Sequence, residues 1–478
     1  MATSSRDRPS LTTSSCSSWV RRPAGGPLER PRRAIFGRRD LCPYDGGVRP
    51  RVVVIGAGFG GIGAATRLAD LPVDTTIVDQ RNHHVFQPLL YQVATAGLAP
   101  SDIALPVRGI FQDDENVDFR WATVERVDLG QRLVHVDSGP PLPYDYLIVA
   151  AGSQTRWFGI PGVEEHALAM KTLEDATSLR GHILAQFERA TAEPTEIDEG
   201  ALTFVIVGGG PTGVELAGAL VELFEVLDRD FHHLDVTRAR VVLIEATEHL
   251  LNGFTEKSQR SAIDTLEARG VEVRLGQAVD RAGPGRVHFK GGEVLATNTL
   301  IWAAGIQPAP LAEEIGIERG QGGRIVVRRD LRPPAYDNVF VVGDLAGAVD
   351  HKGKPYLQMA SVALQQGHFA GRQIGRLVRG RRPWKFRYID YGEMATIGRN
   401  AAVAELAFGI KLRGVLGWWA WLLVHLVRLA GFRNRLSVLF NWAWSYIRYD
   451  RQARIIVHPE DRGSHRAPAS DIGTRHQP

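Results

Sequence analysis

Cysteine is nearly absent from this sequence of 478 residues, which contains only Cys16 and Cys42. Both cysteines lie in the first 50 residues, so the remainder of the chain can form no disulfide, no thiolate metal site and no redox-active cysteine pair. This absence excludes enzymes that pass electrons through a cysteine pair, and enzymes that oxidise sulfide through a cysteine.

A strong net charge and a long apolar run are also missing. The net charge is only +4, which gives no argument for nucleic-acid binding. The apolar stretch at residues 415–430 contains His425 and Arg428, and it is shorter than the ~20 residues that a spanning helix needs. We predict no metal site, because metal-ligand spacing is missing from the candidate histidines, His83, His84, His368 and His425.

Length and local composition divide the chain. A sequence of 478 residues predicts two or three domains. Residues 1–50 are rich in serine, proline, glycine and arginine. This composition is typical of a disordered extension, of sequence that precedes the true start, or of an organelle targeting peptide.

A buried strand, a glycine loop and a helix follow this leader. The strand RVVVI runs into Gly56, Gly58 and Gly61. Glycines at this spacing allow a tight turn, a close approach of the backbone to a pyrophosphate, and close packing of the helix. Asp79 ends the next strand 23 positions after Gly56, where a carboxylate can accept hydrogen bonds from a ribose. The arrangement predicts a dinucleotide site.

The same arrangement occurs a second time. The segment LTFVIVGGGPTGVE places Gly208, Gly210 and Gly213 between a strand and a helix, and Glu245 ends the next strand 37 positions after Gly208. Two such sites predict two dinucleotides: a tightly held FAD, and an NADH that binds and leaves after passing a hydride to the flavin. The FAD is expected to be non-covalent, because the body has no cysteine to form a thioether.

Two further segments complete the predicted body. Residues 83–108 are apolar without a clear period, so they form either a loop region that covers a ligand or a mixture of helix and loop that packs on the core. The buried strand VFVVG ends at Asp344, and residues 358–375 are predicted to form a helix.

The C-terminal region is rich in tryptophan. Polar residues recur at helical spacing on a segment whose other faces are apolar, which favours the headgroup layer of a membrane. The alternative is a helix pair that closes a soluble core or a dimer interface. The tryptophans are Trp418, Trp419, Trp421, Trp442 and Trp444, and the polar stripe is Asn434, Ser437, Asn441, Ser445 and Arg448.

Together these motifs resemble the type II NADH:quinone oxidoreductases, the non-proton-pumping NADH dehydrogenases of respiratory chains. The resemblance covers about residues 51–457. Its glycine motifs are shared with a whole superfamily, whereas QPLLYQVAT, MATIGRN and GFRNR are more specific.

The resemblance implies roles at the matching positions. Glu215 would lie near the nicotinamide and the flavin ring, and Gln365 would be a polar contact of the quinone. Asp344 would bind the ribityl chain of FAD. The remaining cofactor-binding positions would be Gly56, Gly58, Gly61 and Asp79 for FAD, and Gly208, Gly210, Gly213 and Glu245 for NADH.

Departures from the family pattern occur on the quinone side. Ser361 stands where the family often has glutamine, and Tyr391 stands where it often has lysine. Purely structural roles remain open for the two candidate catalytic residues. Glu215 could complement a helix dipole in an early turn, and Gln365 could be an ordinary residue of a helix surface.

We therefore predict an α/β fold with two Rossmann-like dinucleotide-binding domains and an amphipathic C-terminal module. The enzyme would transfer hydride from NADH to FAD, and then electrons to a membrane quinone such as ubiquinone, without pumping protons. It would be a peripheral protein on the cytoplasmic face of the cell membrane, or on an organelle inner membrane if the leader is a transit peptide. A homodimer is compatible with the same surfaces.

Two other functions stay open at this point. One is a soluble flavin-dependent NAD(P)H reductase of an iron–sulfur protein, and the other is a non-catalytic redox sensor. The predicted segments are a leader (1–50), the FAD domain in two parts (51–165 and 306–400), the NADH domain (166–305), a membrane-surface module (401–458) and a disordered tail (459–478).

Overall fold

The computed structural model describes residues 48–429, 431–448, 451 and 453–456. The predictions for the leader before residue 48, for the tail after residue 456, and for the side chains of Ser445 and Arg448 lie outside the described residues.

The described chain alternates strands and helices through most of its length. The helices are α1 (Phe59–Leu68), α2 (Leu90–Ala94), α3 (Pro100–Ile103), α4 (Val107–Ile110), α5 (Val163–His166), α6 (Leu173–Ala192), α7 (Pro211–Leu227), α8 (Glu256–Ala268), α9 (Leu311–Glu314), α10 (Ala360–Leu377), α11 (Gly414–Arg428) and α12 (Phe432–Arg448). The strands are β1 (Arg51–Ile55), β2 (Asp74–Asp79), β3 (His83–Val85), β4 (Ala104–Pro106), β5 (Val117–Trp121), β6 (Val124–Asp128), β7 (Leu133–Val136), β8 (Leu142–Pro143), β9 (Tyr146–Val149), β10 (Ser153–Thr155), β11 (Ala167–Ala169), β12 (Thr203–Val207), β13 (Arg240–Ile244), β14 (Val271–Arg274), β15 (Val279–Gly283), β16 (Arg286–Phe289), β17 (Val294–Ala296), β18 (Thr299–Trp302), β19 (Ile306–Pro308), β20 (Val339–Val341), β21 (Gly392–Gly398), β22 (Ala401–Leu406) and β23 (Lys411–Arg413).

Two parallel five-stranded sheets form the framework. The first has the order β20-β9-β1-β2-β5, and the second has the order β11-β18-β12-β13-β14. Their central strands are continuous apolar runs because both faces of each sheet are covered. In β12 every residue is buried. The predicted α/β fold with two Rossmann-like domains is confirmed.

Helices α1 and α10 pack against each other backbone to backbone. A Cβ atom added at Gly367 would lie 2.0 Å from the carbonyl oxygen of Gly60, and one added at Gly371 would lie 2.7 Å from that of Ala64. No side chain larger than hydrogen fits at these two contacts without displacing main chain. The glycines therefore bring the helix after the first glycine loop into direct contact with the helix that carries Gln365.

Residues 83–108 contain short strands and helices rather than an open loop. Leu89 and Val93 are fully buried, and α2 packs against α6 and α7. The segment also borders the first dinucleotide cleft through His83 and Gln87. Residues 83–108 therefore both pack on the core and border a cleft, two roles that the sequence leaves as alternatives.

The C-terminal region is an antiparallel sheet, β21-β22-β23, followed by two helices. The sheet lies directly on α7, since a Cβ atom added at Gly218 would be 2.3 Å from the carbonyl oxygen of Ile397. No helix within the described residues is both long enough and apolar enough to cross a bilayer.

Helix α12 has its polar stripe turned toward the body. Asp102 accepts hydrogen bonds from Ser437 Oγ (2.7 Å) and from Asn441 Nδ2 (3.0 Å), and its main-chain carbonyl accepts one from Asn434 Nδ2 (3.0 Å). The opposite side of α12 is apolar and faces outward, with exposed Leu436, Leu439, Phe440 and Trp444. This orientation is the reverse of that of an ordinary surface helix.

Candidate active site

The first glycine loop begins where β1 ends. Gly56 has φ of +99°, and a Cβ atom there would lie 2.4 Å from the carbonyl oxygen of Ala150. A Cβ atom at Gly61 would lie 1.7 Å from the carbonyl oxygen of Gly56, whereas one at Gly58 would meet nothing within 4 Å. Gly56 and Gly61 are thus required by packing, and Gly58 opens the loop to the adjoining cleft. These are the separate roles expected of a pyrophosphate-binding turn.

Asp79 lies at the end of β2 and is bound to this loop. Its Oδ2 accepts a hydrogen bond from Ala57 N at 2.6 Å, and its Oδ1 accepts one from Arg81 N at 2.7 Å. Burial raises the pKa of Asp79, and the two main-chain hydrogen bonds oppose that rise. The residue lines a cleft of about 480 Å³ between the carboxyl ends of β1, β2, β9 and β20.

Asp344 enters the same cleft from the turn after β20. It accepts a hydrogen bond from Ser153 Oγ at 2.5 Å, and Lys171 Nζ lies 3.8 Å away. Gln366, only 1% exposed, accepts a hydrogen bond from Gly343 N at 2.7 Å and so fixes the turn that presents Asp344. No sequence pattern indicated a role for Lys171 or for Gln366, the neighbour of Gln365.

The second glycine loop repeats this construction after β12. Gly208 has φ of +118°, and a Cβ atom at Gly213 would lie 1.9 Å from the carbonyl oxygen of Gly208. Gly210 again has open space around it. Glu245 accepts hydrogen bonds from Gly209 N (2.7 Å) and Thr247 N (2.8 Å). Both loops therefore carry a carboxylate in the position that fits a ribose.

The arginines before and at the start of β13 are each paired with a carboxylate. Arg238 lies 2.5 Å from Asp198, and Arg240 lies 2.8 Å from Glu272. Arg240 begins β13 whereas Glu245 follows its last residue, so both arginines lie at the opposite end of the strand from this carboxylate.

Glu215 is buried on α7 and does not line the first cleft. Its Oε1 is 3.4 Å from Thr396 N of β21, and the indole N–H of Trp421 faces the carboxylate but lies outside hydrogen-bond geometry. Burial raises the pKa of Glu215 to about 8, and these two N–H groups lower it by less. Burial and the nearby Glu215 also raise the pKa of the Tyr91 hydroxyl. Burial therefore favours the protonated form of this carboxyl.

The side-chain amide of Gln365 is hydrogen-bonded to the main chain of Ile389. Its Nε2 donates to the carbonyl oxygen of Ile389 at 2.8 Å, and its Oε1 accepts from Ile389 N at 3.0 Å. One turn earlier on α10, the Ser361 hydroxyl lies 2.9 Å from the hydroxyl of Tyr388. The structure does not bring Gln365 and Glu215 together through any hydrogen bond. Among the described residues, no cluster of histidine, cysteine, aspartate or glutamate could hold a metal ion.

These features define a class of protein that holds two dinucleotides. Residues 50–367 match the model of the pyridine nucleotide-disulphide oxidoreductase family, and the chain belongs to that class. Two solved structures share its fold: NDH2 from Plasmodium falciparum in complex with NADH (TM-score 0.78, 18% identity, 86% of this chain and 100% of that one), and the sulfide:quinone oxidoreductase from Aquifex aeolicus (TM-score 0.64, 20% identity, 86% and 96%).

The C-terminal region narrows the class to one family. Residues 391–448 match the NDH2 C-terminal domain. The chain is 38% identical to the type II NADH:quinone oxidoreductase Ndh and 40% identical to NdhA, both of Mycobacterium tuberculosis, over 84% of this chain and 88% of each relative. It is 30% identical to a type II NADH:quinone oxidoreductase of Staphylococcus aureus, over 77% and 92%. The chain belongs to the type II NADH:quinone oxidoreductase family.

Proposed function

We propose that the protein oxidises NADH and reduces a membrane quinone, without pumping protons. The observation that carries the proposal is the pair of glycine loops, each with its own carboxylate, in a chain whose body has no cysteine. Electrons that arrive from NADH cannot continue to a cysteine pair, so they must leave to an external acceptor. The C-terminal match to the NDH2 domain favours a quinone as that acceptor.

The residues of the first cleft fit FAD. Gly58 leaves room for the pyrophosphate, Asp79 would accept hydrogen bonds from the ribose, and Asp344 would hold the ribityl chain. When bound, FAD supplies a ring that accepts hydride and releases electrons singly or in pairs. In the second loop Gly210 would face the pyrophosphate of NADH, and Glu245 would accept hydrogen bonds from the 2′-hydroxyl and repel a 2′-phosphate.

The two catalytic candidates have different roles in this proposal. Glu215 stores a proton in a buried carboxyl beside Tyr91, and its raised pKa suits an acid that works near neutral pH. Gln365 borders the quinone site and holds Ile389 in place. While its amide is hydrogen-bonded to Ile389, Gln365 serves as a positioning residue. It would contact the quinone directly only if the quinone replaced the main chain of Ile389 as its hydrogen-bond partner.

Membrane binding is supported by the apolar faces of the last two helices. Leu416, Trp419 and Leu423 of α11 are exposed, and so is Phe440 of α12. A helix with its polar side inward and its apolar side outward stabilises contact with lipid rather than with water. We place this surface on the cytoplasmic side of the membrane, where NADH is available. A second copy of the chain is the alternative occupant.

A steady-state assay with purified full-length protein tests the proposal. We expect rapid NADH oxidation with a short-chain quinone, much slower oxidation of NADPH, and release of yellow FAD into the supernatant after acid precipitation. A flavin-loaded protein without turnover would instead indicate a redox sensor. Turnover that requires an added iron–sulfur protein would indicate the soluble reductase.

A further inference from the structure

Residues 381–391 form an irregular segment that crosses α10, here called the strap. Three contacts fix it to that helix. Trp384 N donates to Gln373 Oε1 at 2.7 Å, the main chain of Ile389 pairs with Gln365, and the Tyr388 hydroxyl meets Ser361. The side chain of Phe386 is buried beneath the strap. The strap is therefore held in one position on α10, and its outer side has a defined orientation.

Exposure alternates along the strap. Phe386 is buried and Tyr388 is half-buried, whereas the residues that flank them, Lys385, Arg387 and Ile389, are exposed. Trp384 and Ile389 are 56% and 61% exposed. Between Trp384 and Ile389, the outer side therefore combines two basic side chains, Lys385 and Arg387, with two large apolar ones, and Arg381 and Arg382 before them are exposed as well.

Acidic side chains lie near this outer side without pairing with it: Asp390, Glu393 and Glu405 line the same cleft as Arg387. Neither Lys385 nor Arg387 has an acidic side chain within ion-pair distance among the residues that the structure describes. Asp390 is the acidic residue of the strap itself, and its Oδ1 accepts a hydrogen bond from Gly392 N at 2.8 Å. The basic pair is thus available to an anionic partner.

The strap is continuous with the outward face of α11. The guanidinium of Arg428, at the end of α11, lies 4.7 Å from the ring centre of Tyr391, and Ala407 N donates to the carbonyl oxygen of Tyr391. The loop before β23 adds exposed Ile410 beside Lys411. Basic and apolar side chains thus extend from the strap to α11, whose sequence has no acidic residue. The nearby carboxylates Glu393 and Glu405 belong to β21 and β22.

We propose that the strap is a second membrane-contact element, in which Lys385 and Arg387 bind the headgroups of anionic lipids while Trp384 and Ile389 enter the headgroup layer. Lysine and arginine keep their charge at the surface while their stems lie along apolar material. Tryptophan favours the same depth. This inference rests on the proposed function, since it requires α11 and α12 to face lipid. Lipid is favoured over an acidic protein because the strap adjoins α11, whose exposed Leu416, Trp419 and Leu423 form the proposed membrane surface.

Vesicle binding by the full-length, FAD-loaded protein tests the inference. Affinity is measured for neutral phosphatidylcholine vesicles, and for phosphatidylcholine vesicles that contain phosphatidylglycerol. Each basic charge near an anionic surface strengthens binding about fivefold at low salt, so the double variant Lys385→Gln/Arg387→Gln should bind the anionic vesicles about 25-fold more weakly. Binding to neutral vesicles, the FAD content and turnover with a short-chain quinone should not change.

A charge-matched control is available on the second domain. Arg281 and Arg286 are exposed on β15 and β16, on a hairpin separate from the strap and from α11, so Arg281→Gln/Arg286→Gln should retain the wild-type affinity for anionic vesicles. Equal affinity of both double variants would overturn the inference and favour an acidic protein as the partner of the strap. Failure of the wild type to bind either vesicle would instead refute the membrane part of the proposed function.

Discussion

Replacing Glu215 by glutamine should change how the stability of the protein depends on pH. The folded carboxyl has a pKa of about 8, raised from 4.5 chiefly by burial. A raised folded pKa means that the folded state binds the proton more tightly than the unfolded state. Its contribution to stability is therefore fully present below pH 4.5 and is lost as the pH rises toward 8.

The size of the effect follows from the shift. One pKa unit corresponds to about 1.4 kcal/mol, so the whole shift corresponds to about 5 kcal/mol of unfolding free energy. Glutamine has nearly the same shape and no charge to bury. Glu215→Gln should therefore remove this loss, and its advantage over the wild type should grow by about 1.4 kcal/mol per pH unit across the interval.

Urea unfolding followed by tryptophan fluorescence, at several pH values between about 5 and about 8, measures this slope. The matched control is Glu225→Gln, because Glu225 lies on the same helix and is exposed; it should keep the wild-type slope. If Glu215→Gln also keeps that slope, the carboxyl is already ionised in the folded protein and cannot serve as a proton store near neutral pH.

Three further substitutions test the quinone side, the FAD site and the docking of α12. Gln365→Ala should slow quinone reduction, while stopped-flow reduction of the flavin by NADH stays near normal; equal loss in both half-reactions would indicate a purely structural role. Gln366→Ala should instead lower the FAD content, because it releases the main chain at Gly343. Asp102→Ala should weaken the docking of α12 by about 3 kcal/mol, because two side-chain hydrogen bonds to a charged acceptor are lost, and limited proteolysis should then cleave the C-terminal region sooner. Unchanged cleavage in Asp102→Ala would show that apolar packing alone holds the helix.

The glycine loops were predictable because their constraints are local. Gly56 and Gly208 need positive φ, and Asp79 and Glu245 follow at the ends of the neighbouring strands. Strand order in a parallel sheet then brings loop and carboxylate together. The family resemblance added Asp344, which indeed lines the first cleft.

The C-terminal region was less predictable, because its contacts join distant parts of the chain. Periodicity indicates the polar stripe of α12, but it cannot tell whether that stripe meets water or protein. Asp102, more than 300 positions earlier, decides the question. Likewise, no sequence pattern indicates that the Gln365 amide pairs with the main chain of Ile389.

The backbone contact between α1 and α10 has a consequence for the timing of turnover. Gly367 and Gly371 leave no layer of side chains between the two helices. Because close-packed backbone is hardly compressible, the distance between the helices changes little with thermal motion. Electron transfer becomes much slower as the donor–acceptor gap widens. If FAD occupies the first cleft and the quinone binds beside Gln365, as proposed above, a rigid joint between α1 and α10 would keep the flavin–quinone distance the same from one cycle to the next.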